Sequence, residues 1–153
     1  PDEVFGRVSH LLFERTPPEK YATGFLATLE PAGGAFRYCN AGHNPGILLR
    51  TAGDVEWLAS TGVPLGILPS GVYTTAEVDV APGDTVVIYT DGLTEAESPD
   101  DEEYGEERLA ELCARHRGDD LEAMAAAIAA DQDAFVRGVP YADDRTIVLI
   151  RRV

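Results

Sequence analysis

The sequence predicts an α+β fold, in which strands and helices come in blocks and do not alternate. One helical pattern is followed by a series of strand patterns joined by short turns, then by two helical patterns and a final strand. Residues 85–90 and 146–150 are also apolar on both faces, although antiparallel strands usually keep one face in water. Burial on both faces predicts a sheet that lies between another layer and helices.

The first half of the chain is predicted to contain one helix and two hairpins. Apolar residues recur at helical spacing from Val4 to Leu12, and Pro17 and Pro18 end that helix. Each hairpin is indicated by two strand patterns that flank a turn containing glycine. The four strands cover residues 21–29, 35–40, 46–50 and 55–58.

The second half begins with strands and continues with helices. Residues 72–80 alternate between apolar and polar side chains, which is typical of a strand with one buried face. An apolar strand at 85–90 and an acidic loop at 95–103 follow. A helix then starts near Glu106 and carries Cys113 on its apolar side, so we expect that thiol in the core.

The last helix follows Gly118 and precedes the strand at 146–150. Asp119 or Asp120 can cap its N-terminus, since a short carboxylate side chain accepts hydrogen bonds from the first free N–H groups.

Composition predicts a globular protein with an acidic surface. The chain has 153 residues, 44% of them hydrophobic, and is long enough to bury a core. Its 27 Asp and Glu against 12 Lys and Arg give a net charge of −15, which repels phosphate backbones, so nucleic acid is not an expected partner. No apolar run approaches the roughly 20 residues of a membrane span, and the first residues do not resemble a signal peptide.

The cysteines and the single methionine indicate the cellular compartment and whether the chain is part of a longer protein. Cys39 and Cys113 lie far apart and form no CxxC pair, which favours a reduced, cytoplasmic protein. Met124 is the only methionine, so the sequence has no initiator. We therefore expect residues 1–153 to form a single, partial domain of a longer protein.

Two acidic residues beside apolar strands carry the predicted chemistry. Asp91 follows the strand at 85–90, and Asp143 precedes the strand at 146–150. If these strands pair or nearly pair, both carboxylates come to one edge of the sheet. Carboxylate oxygens suit a hard cation such as Mg²⁺ or Mn²⁺, so the sequence predicts metal-assisted hydrolysis.

An ordered set of short motifs resembles one protein family, the SpoIIE-like branch of the PPM metal-dependent protein serine/threonine phosphatases. Single motifs such as Pro-Gly-Asp are weak, but the order is specific and covers nearly the whole chain from Tyr21. The motifs are Asn40-Ala-Gly-His-Asn-Pro-Gly46, Pro64-Leu-Gly66, Pro82-Gly-Asp84, Tyr89-Thr-Asp-Gly-Leu-Thr-Glu95, Tyr104-Gly-Glu-Glu-Arg-Leu109 and Asp143-Asp-Arg-Thr146.

The resemblance implies a four-layer αββα sandwich of antiparallel sheets flanked by helices, with a binuclear Mn²⁺ or Mg²⁺ site. By position, Asp91 and Asp143 match metal-binding aspartates of the family and are the candidate catalytic residues. Gly92, through its backbone, and Asp144 complete the candidate metal-binding set. The implied activity is hydrolysis of phosphoserine or phosphothreonine on a regulatory protein, commonly an anti-anti-sigma factor of a bacterial partner-switching pathway.

Two family motifs are missing from this sequence, namely an earlier Gly-Gly-Asp-x-x-Asp and a later Asp-x-x-Gly-His-Gly. The resemblance therefore implies the C-terminal portion of the domain, without its N-terminal strands. Asp91 and Asp143 supply two negative charges against the four positive charges of two divalent ions. A metal pair about 3.5–4 Å apart needs bridging ligands, so we expect weak metal binding by this chain alone.

Each candidate residue also has a structural interpretation. Asp-Gly is a common turn pair, and Asp144 could exchange roles with Asp143 or cap the last strand. Histidine as a residue type is a common general acid, so His43 could have that role, although its Gly and Asn-Pro neighbours favour a structural loop residue. The acidic run at 100–103 could extend a cation site, although such a run is more often a solvated loop. The alternative function is a non-catalytic regulatory or interaction module of the same fold.

Overall fold

Two antiparallel sheets and four helices make up the protein, which is described by a computed structural model of residues 1–153. The elements in chain order are α1 (Asp2–Arg15), β1 (Gly24–Leu29), β2 (Ala35–Ala41), β3 (Gly46–Leu49), β4 (Val55–Leu58), β5 (Ala76–Asp79), β6 (Thr85–Tyr89), α2 (Asp91–Thr94), α3 (Glu106–Arg115), α4 (Leu121–Val136) and β7 (Ile147–Arg151). The predicted α+β class with antiparallel sheets and helices is confirmed. None of the helices combines the length and the hydropathy needed to cross a bilayer.

Contacts within the chain divide it into two units, residues 1–45 with 58–81 and residues 46–57 with 82–153. Unit 1 contains α1 and a sheet in the order β1-β2-β5. The predicted first hairpin is present, because β1 and β2 pair antiparallel from Gly24 opposite Ala41 to Leu29 opposite Phe36. The buried cluster of this unit consists of Phe5, Cys39, Ala41 and Leu65.

The strand predicted at 72–80 is shorter in the structure. It begins at Ala76, and Val72 is 81% exposed. Tyr73 forms only an isolated bridge with Gly62, and its hydroxyl donates to the Ser9 hydroxyl at 2.8 Å. The side chain of Tyr73 is therefore used to contact α1, and the residues around it do not continue the sheet.

Unit 2 contains the second sheet, in the order β4-β3-β6-β7, together with α2, α3 and α4. The predicted second hairpin is present, with the Arg50 N–H donating to the Asp54 carbonyl at 2.9 Å across its turn. Strand β6 is almost wholly buried, as predicted. Burial on both faces was also predicted for the last strand, and this was wrong. Strand β7 lies at the sheet edge, and Val148 remains 45% exposed.

The helices of unit 2 begin close to the predicted positions and bury their apolar sides. Leu109 and Cys113 of α3 are fully buried, and burial raises the pKa of the Cys113 thiol to about 12. Of the two predicted N-caps of α4, Asp119 and Asp120, it is Asp120 that caps the helix: its Oδ1 accepts from the Ala123 N–H at 2.7 Å. The core of this unit therefore lies between the sheet and the pair α3 and α4.

A polar network on Asp131 joins α3 to α4. The carboxylate accepts from the Tyr104 hydroxyl at 2.8 Å and from Arg108 Nε at 3.0 Å, and the guanidinium of Arg108 lies 4.6 Å from the centre of the Phe135 ring. Burial alone would raise the pKa of Asp131, but the hydrogen bonds from Arg108 and Tyr104 outweigh it and lower the pKa. This network fixes α4 against the segment that follows α2.

The Pro82-Gly-Asp84 motif anchors the start of β6. The Asp84 side chain is 3% exposed and accepts from the Thr51 N–H and hydroxyl, both at 2.8 Å, and from Arg50 Nη1 at 3.0 Å. Hydrogen bonds to Glu56 and Asp84 raise the pKa of Arg50 against the opposing effect of burial. A buried carboxylate is stable only with such partners, so this motif has a structural role.

Candidate metal centre

Pairing of β6 with β7 brings the two acidic segments to one edge of the sheet. The strands are antiparallel, and Tyr89 near the end of β6 lies opposite Ile147 at the start of β7. In such a pair the end of one strand lies beside the start of the other. Asp91 and Asp143 therefore belong to adjoining segments at that edge, as expected from the sequence. Their role as metal ligands stays a prediction.

Thr90 fastens these two segments together. Its N–H donates to the Thr146 carbonyl at 3.0 Å, and its hydroxyl accepts from the Thr146 N–H at 3.0 Å. The same hydroxyl donates to the Asp144 carbonyl at 3.1 Å. Three hydrogen bonds to one residue extend the strand pairing up to Asp91. Thr90 stands inside the Thr-Asp-Gly motif, but no local sequence pattern predicts this role.

Gly92 allows the two backbones to touch. The prediction of a tight turn at Asp91-Gly92 was wrong, because Asp91–Thr94 form the one-turn helix α2. Gly92 is buried, and a Cβ at this position would lie 2.5 Å from the Asp144 carbonyl oxygen and 3.2 Å from that of Asp143. Only glycine fits this contact. The glycine is required by a close backbone approach and not by an unusual φ.

The three carboxylates of the site are exposed to solvent, and each candidate is placed differently. Asp91 Oδ1 accepts from the Gly92 N–H at 2.9 Å, and Asp143 Oδ1 accepts from the Asp144 N–H at 2.7 Å. Each therefore keeps its second oxygen for another contact. Asp143 lines a cavity of about 190 Å³, whereas neither Asp91 nor Asp144 does, and Asp144 is tied through its carbonyl to Thr90.

The cavity beside Gly92 and Asp143 is acidic. Three glutamates contribute to its wall, namely Glu95, Glu97 and Glu103. Negative side chains gathered in one place repel each other, and a divalent cation nearby reduces that repulsion. The cavity is thus electrostatically suited to a cation or a cationic group and opposes a bare anion.

Arg145 does not line the cavity. Its guanidinium lies 3.5 Å from the centre of the Tyr141 ring, and Nη1 donates to Gln132 Oε1 at 2.8 Å. Neither Arg145 nor Gln132 was predicted as part of the site: Arg145 stands inside the Asp143-Asp-Arg-Thr146 motif without an assigned role, and no local pattern marks Gln132. Their contacts connect the Asp143–Thr146 segment to α4.

His43 and the acidic run at 100–103 have structural contacts. The His43 N–H donates to Asn40 Oδ1 at 2.8 Å, and His43 Nδ1 lies 3.3 Å from the Thr23 hydroxyl. Asn40 is fully buried and shapes this loop. Asp100 forms an ion pair with Arg137, and the residues of the run are exposed. These contacts favour the structural interpretation of His43, whereas Glu103 of the acidic run also lines the cavity beside Asp143.

The donor set fits a divalent metal in kind but not in number. Carboxylate oxygens are the ligands that Mg²⁺ and Mn²⁺ prefer, and Asp91, Asp143 and the Gly92 backbone meet at one edge. The structure nevertheless contains no group of three or more His, Cys, Asp or Glu side chains that could hold a metal ion. The residues of this chain fit part of a two-ion centre and do not form a complete one.

The model of the family described as "Stage II sporulation protein E (SpoIIE)" matches residues 1–153. The chain belongs to the SpoIIE family. Two curated relatives are similar in sequence to part of this chain. Protein IcfG of Synechocystis is 37% identical over 91 residues, which are 60% of this chain and 14% of IcfG. Phosphoserine phosphatase RsbU of Bacillus subtilis is 26% identical over 96 residues, or 62% of this chain and 29% of RsbU.

Solved structures with a similar fold include a PP2C domain. The SiaA PP2C domain of Pseudomonas aeruginosa matches with a TM-score of 0.86 and 22% identity, over 99% of this chain and 60% of that one. RsbX in complex with magnesium matches with a TM-score of 0.66 and 18% identity, over 96% of this chain and 62% of that one. The predicted kinship and fold are confirmed. The chain spans less than a third of either characterised relative.

Proposed function

We propose that this chain is the C-terminal portion of a metal-dependent protein serine/threonine phosphatase domain. The observation that carries the proposal is the contact between the Asp91-Gly92 backbone and the Asp143-Asp144 backbone at the end of the β6–β7 pair. Membership of the SpoIIE family and the similarity to phosphoserine phosphatase RsbU support the reaction type. Residues 1–153 are then one partial domain, and the remaining metal ligands come from other residues of the intact protein.

In this proposal the chain's own residues hold and space two of the carboxylates. Asp91 and Asp143 each present one carboxylate oxygen that is not committed to the neighbouring N–H. Thr90 and Gly92 keep the two segments in register. Bound Mn²⁺ or Mg²⁺ would lower the pKa of water and stabilise the charge that develops in phosphoryl transfer.

The proposed substrate is a phosphorylated regulatory protein, of the anti-anti-sigma class in a partner-switching pathway. Similarity to the phosphoserine phosphatase RsbU supports phosphoserine as the group removed, and the anti-anti-sigma class is what the family resemblance implies. The net charge of −15 and the acidic cavity oppose nucleic acid as a partner. We propose that the intact protein acts in the cytoplasm.

A non-catalytic module of the same fold is the second candidate. The absence of three ionisable ligands in one place favours it for any protein that consists of these residues alone. Such a module would bind a protein partner and release no phosphate. The two candidates differ in their response to metal ions.

Metal removal tests the proposed function in the full-length natural protein. Chelation with EDTA is expected to reduce phosphate release from a phosphoserine protein to the uncatalysed level, and added Mn²⁺ or Mg²⁺ is expected to restore it. The measurement is released phosphate against metal concentration. Activity that persists after complete chelation contradicts the metal-dependent mechanism, and no release with either metal favours the non-catalytic module.

A further inference from the structure

Gln132 is a polar side chain inside the apolar core of unit 2. It lies on α4 and is 1% exposed. A buried amide is stable only when its donors and acceptors are hydrogen-bonded, because an unpaired polar group loses its contacts with water. The partners of Gln132 therefore show what this residue does.

Both ends of the amide are hydrogen-bonded, each to a different part of the candidate metal centre. Nε2 donates to the Leu93 carbonyl at 2.6 Å, and Oε1 accepts from Arg145 Nη1 at 2.8 Å. Leu93 stands two residues after Asp91, and Arg145 stands two residues after Asp143. One side chain thus connects the two segments that carry the candidate ligands.

Each partner of Gln132 gains a specific hydrogen bond from this amide. Leu93 lies in the only turn of α2, and its carbonyl is one of the groups at a helix end that need a partner outside the helix. Arg145 is held from other directions by the Tyr141 ring and by Asp133, whose Oδ1 lies 3.5 Å from Nη1. Gln132 connects this arginine to α2, because it is hydrogen-bonded to both Arg145 and the Leu93 carbonyl.

We propose that Gln132 is a positioning residue that sets the spacing between Asp91 and Asp143. It contacts neither carboxylate and acts through Leu93 and Arg145. Helix α4 supplies a rigid support, because the Asp131 network fixes it to α3. The consequence for metal binding rests on the proposed function, whereas the effect on the two segments does not.

Two substitutions separate the two hydrogen bonds. Gln132→Met keeps a side chain of similar length and loses both bonds. Gln132→Glu keeps the acceptor for Arg145 and loses the donor to the Leu93 carbonyl. The control is Met124→Ala, which opens a cavity about two turns earlier on the same helix, in the same core. The unfolding midpoint of each variant is measured first, so that changes in exchange and in metal dependence can be distinguished from a general loss of stability.

Hydrogen–deuterium exchange of the metal-free, full-length protein tests the structural effect. Gln132→Met is expected to speed exchange about tenfold in residues 90–95 and 141–147, and Gln132→Glu chiefly in 90–95. Met124→Ala is expected to change α4 and to leave both segments close to wild type. Wild-type exchange of both segments in Gln132→Met, or equal changes in Met124→Ala, would overturn the proposal.

The half-saturating Mn²⁺ concentration for phosphate release provides the functional measurement. Gln132→Met is expected to raise it about tenfold, as for other residues that orient metal ligands indirectly. Turnover at saturating Mn²⁺ is expected to fall less, and Met124→Ala is expected to leave the half-saturating concentration unchanged. An unchanged value in Gln132→Met contradicts the positioning role. If the wild type releases no phosphate, the proposed function fails, and the exchange measurement still decides the role of Gln132.

Discussion

Replacing Asp91 or Asp143 by alanine in the full-length protein is expected to reduce Mn²⁺-dependent phosphate release at least about 100-fold. Loss of a group that only orients a metal ligand typically costs 10–100-fold, and loss of the ligand itself should cost more. Each carboxylate has one oxygen free of its neighbouring N–H, and both segments meet at the end of β6 and β7. Initial rates at several Mn²⁺ concentrations measure the effect.

Two matched variants show whether the loss is specific. Asp144→Ala is expected to retain activity within about tenfold, because Asp144 contributes its backbone carbonyl to Thr90 and alanine keeps that carbonyl. Asp101→Asn is expected to match the wild type. Asp101 is exposed and has a φ of 60°, which asparagine tolerates. A larger loss in Asp144→Ala than in Asp143→Ala would exchange the roles of these neighbours.

Gly92→Ala is expected to lose both stability and activity. The added Cβ would lie 2.5 Å from the Asp144 carbonyl oxygen, and neither backbone can rotate away as a side chain can. The two segments must therefore separate, which is expected to cost about 1–3 kcal/mol in the free energy of unfolding. Separation also moves Asp91 away from Asp143, so the half-saturating Mn²⁺ concentration should rise. Urea unfolding and phosphate release measure the two effects.

Gly118→Ala is the control for this substitution. No atom lies within 4 Å of a Cβ at position 118, so the change is expected to alter the free energy of unfolding by no more than about 0.5 kcal/mol. Activity should be that of the wild type. Equal behaviour of Gly92→Ala and Gly118→Ala would show that the contact between Gly92 and Asp144 does not constrain the site.

Local sequence patterns predicted three of the four helices and most strands correctly. Apolar spacing identifies α1, α3 and α4, and the two hairpins follow from strand patterns around glycine-containing turns. The errors occur where tertiary contacts decide. Tyr73 contacts α1 and shortens β5, and β7 lies at a sheet edge that composition alone does not reveal. The one-turn helix α2 has too few residues to show a helical period.

The candidate site was predictable only in its charged part. Asp91 and Asp143 stand beside apolar strands, so their approach follows once those strands pair. The groups that hold them are not visible in the sequence. Gln132 stands in a helix rich in alanine, where a polar residue normally faces solvent, and its partner Leu93 lies 39 residues earlier. Contacts of that separation depend on packing and leave no local pattern.

The central claim is that folding brings Asp91 and Asp143 to the same divalent metal ion, or to the same pair of metal ions. Anomalous diffraction at the manganese edge, from crystals of the full-length protein grown with Mn²⁺, tests it most directly. The expected result is manganese at the end of the β6–β7 pair, with an oxygen of Asp91 and an oxygen of Asp143 at about 2.0–2.6 Å from the metal. Manganese bound elsewhere, with both carboxylates beyond coordination distance, would contradict the claim.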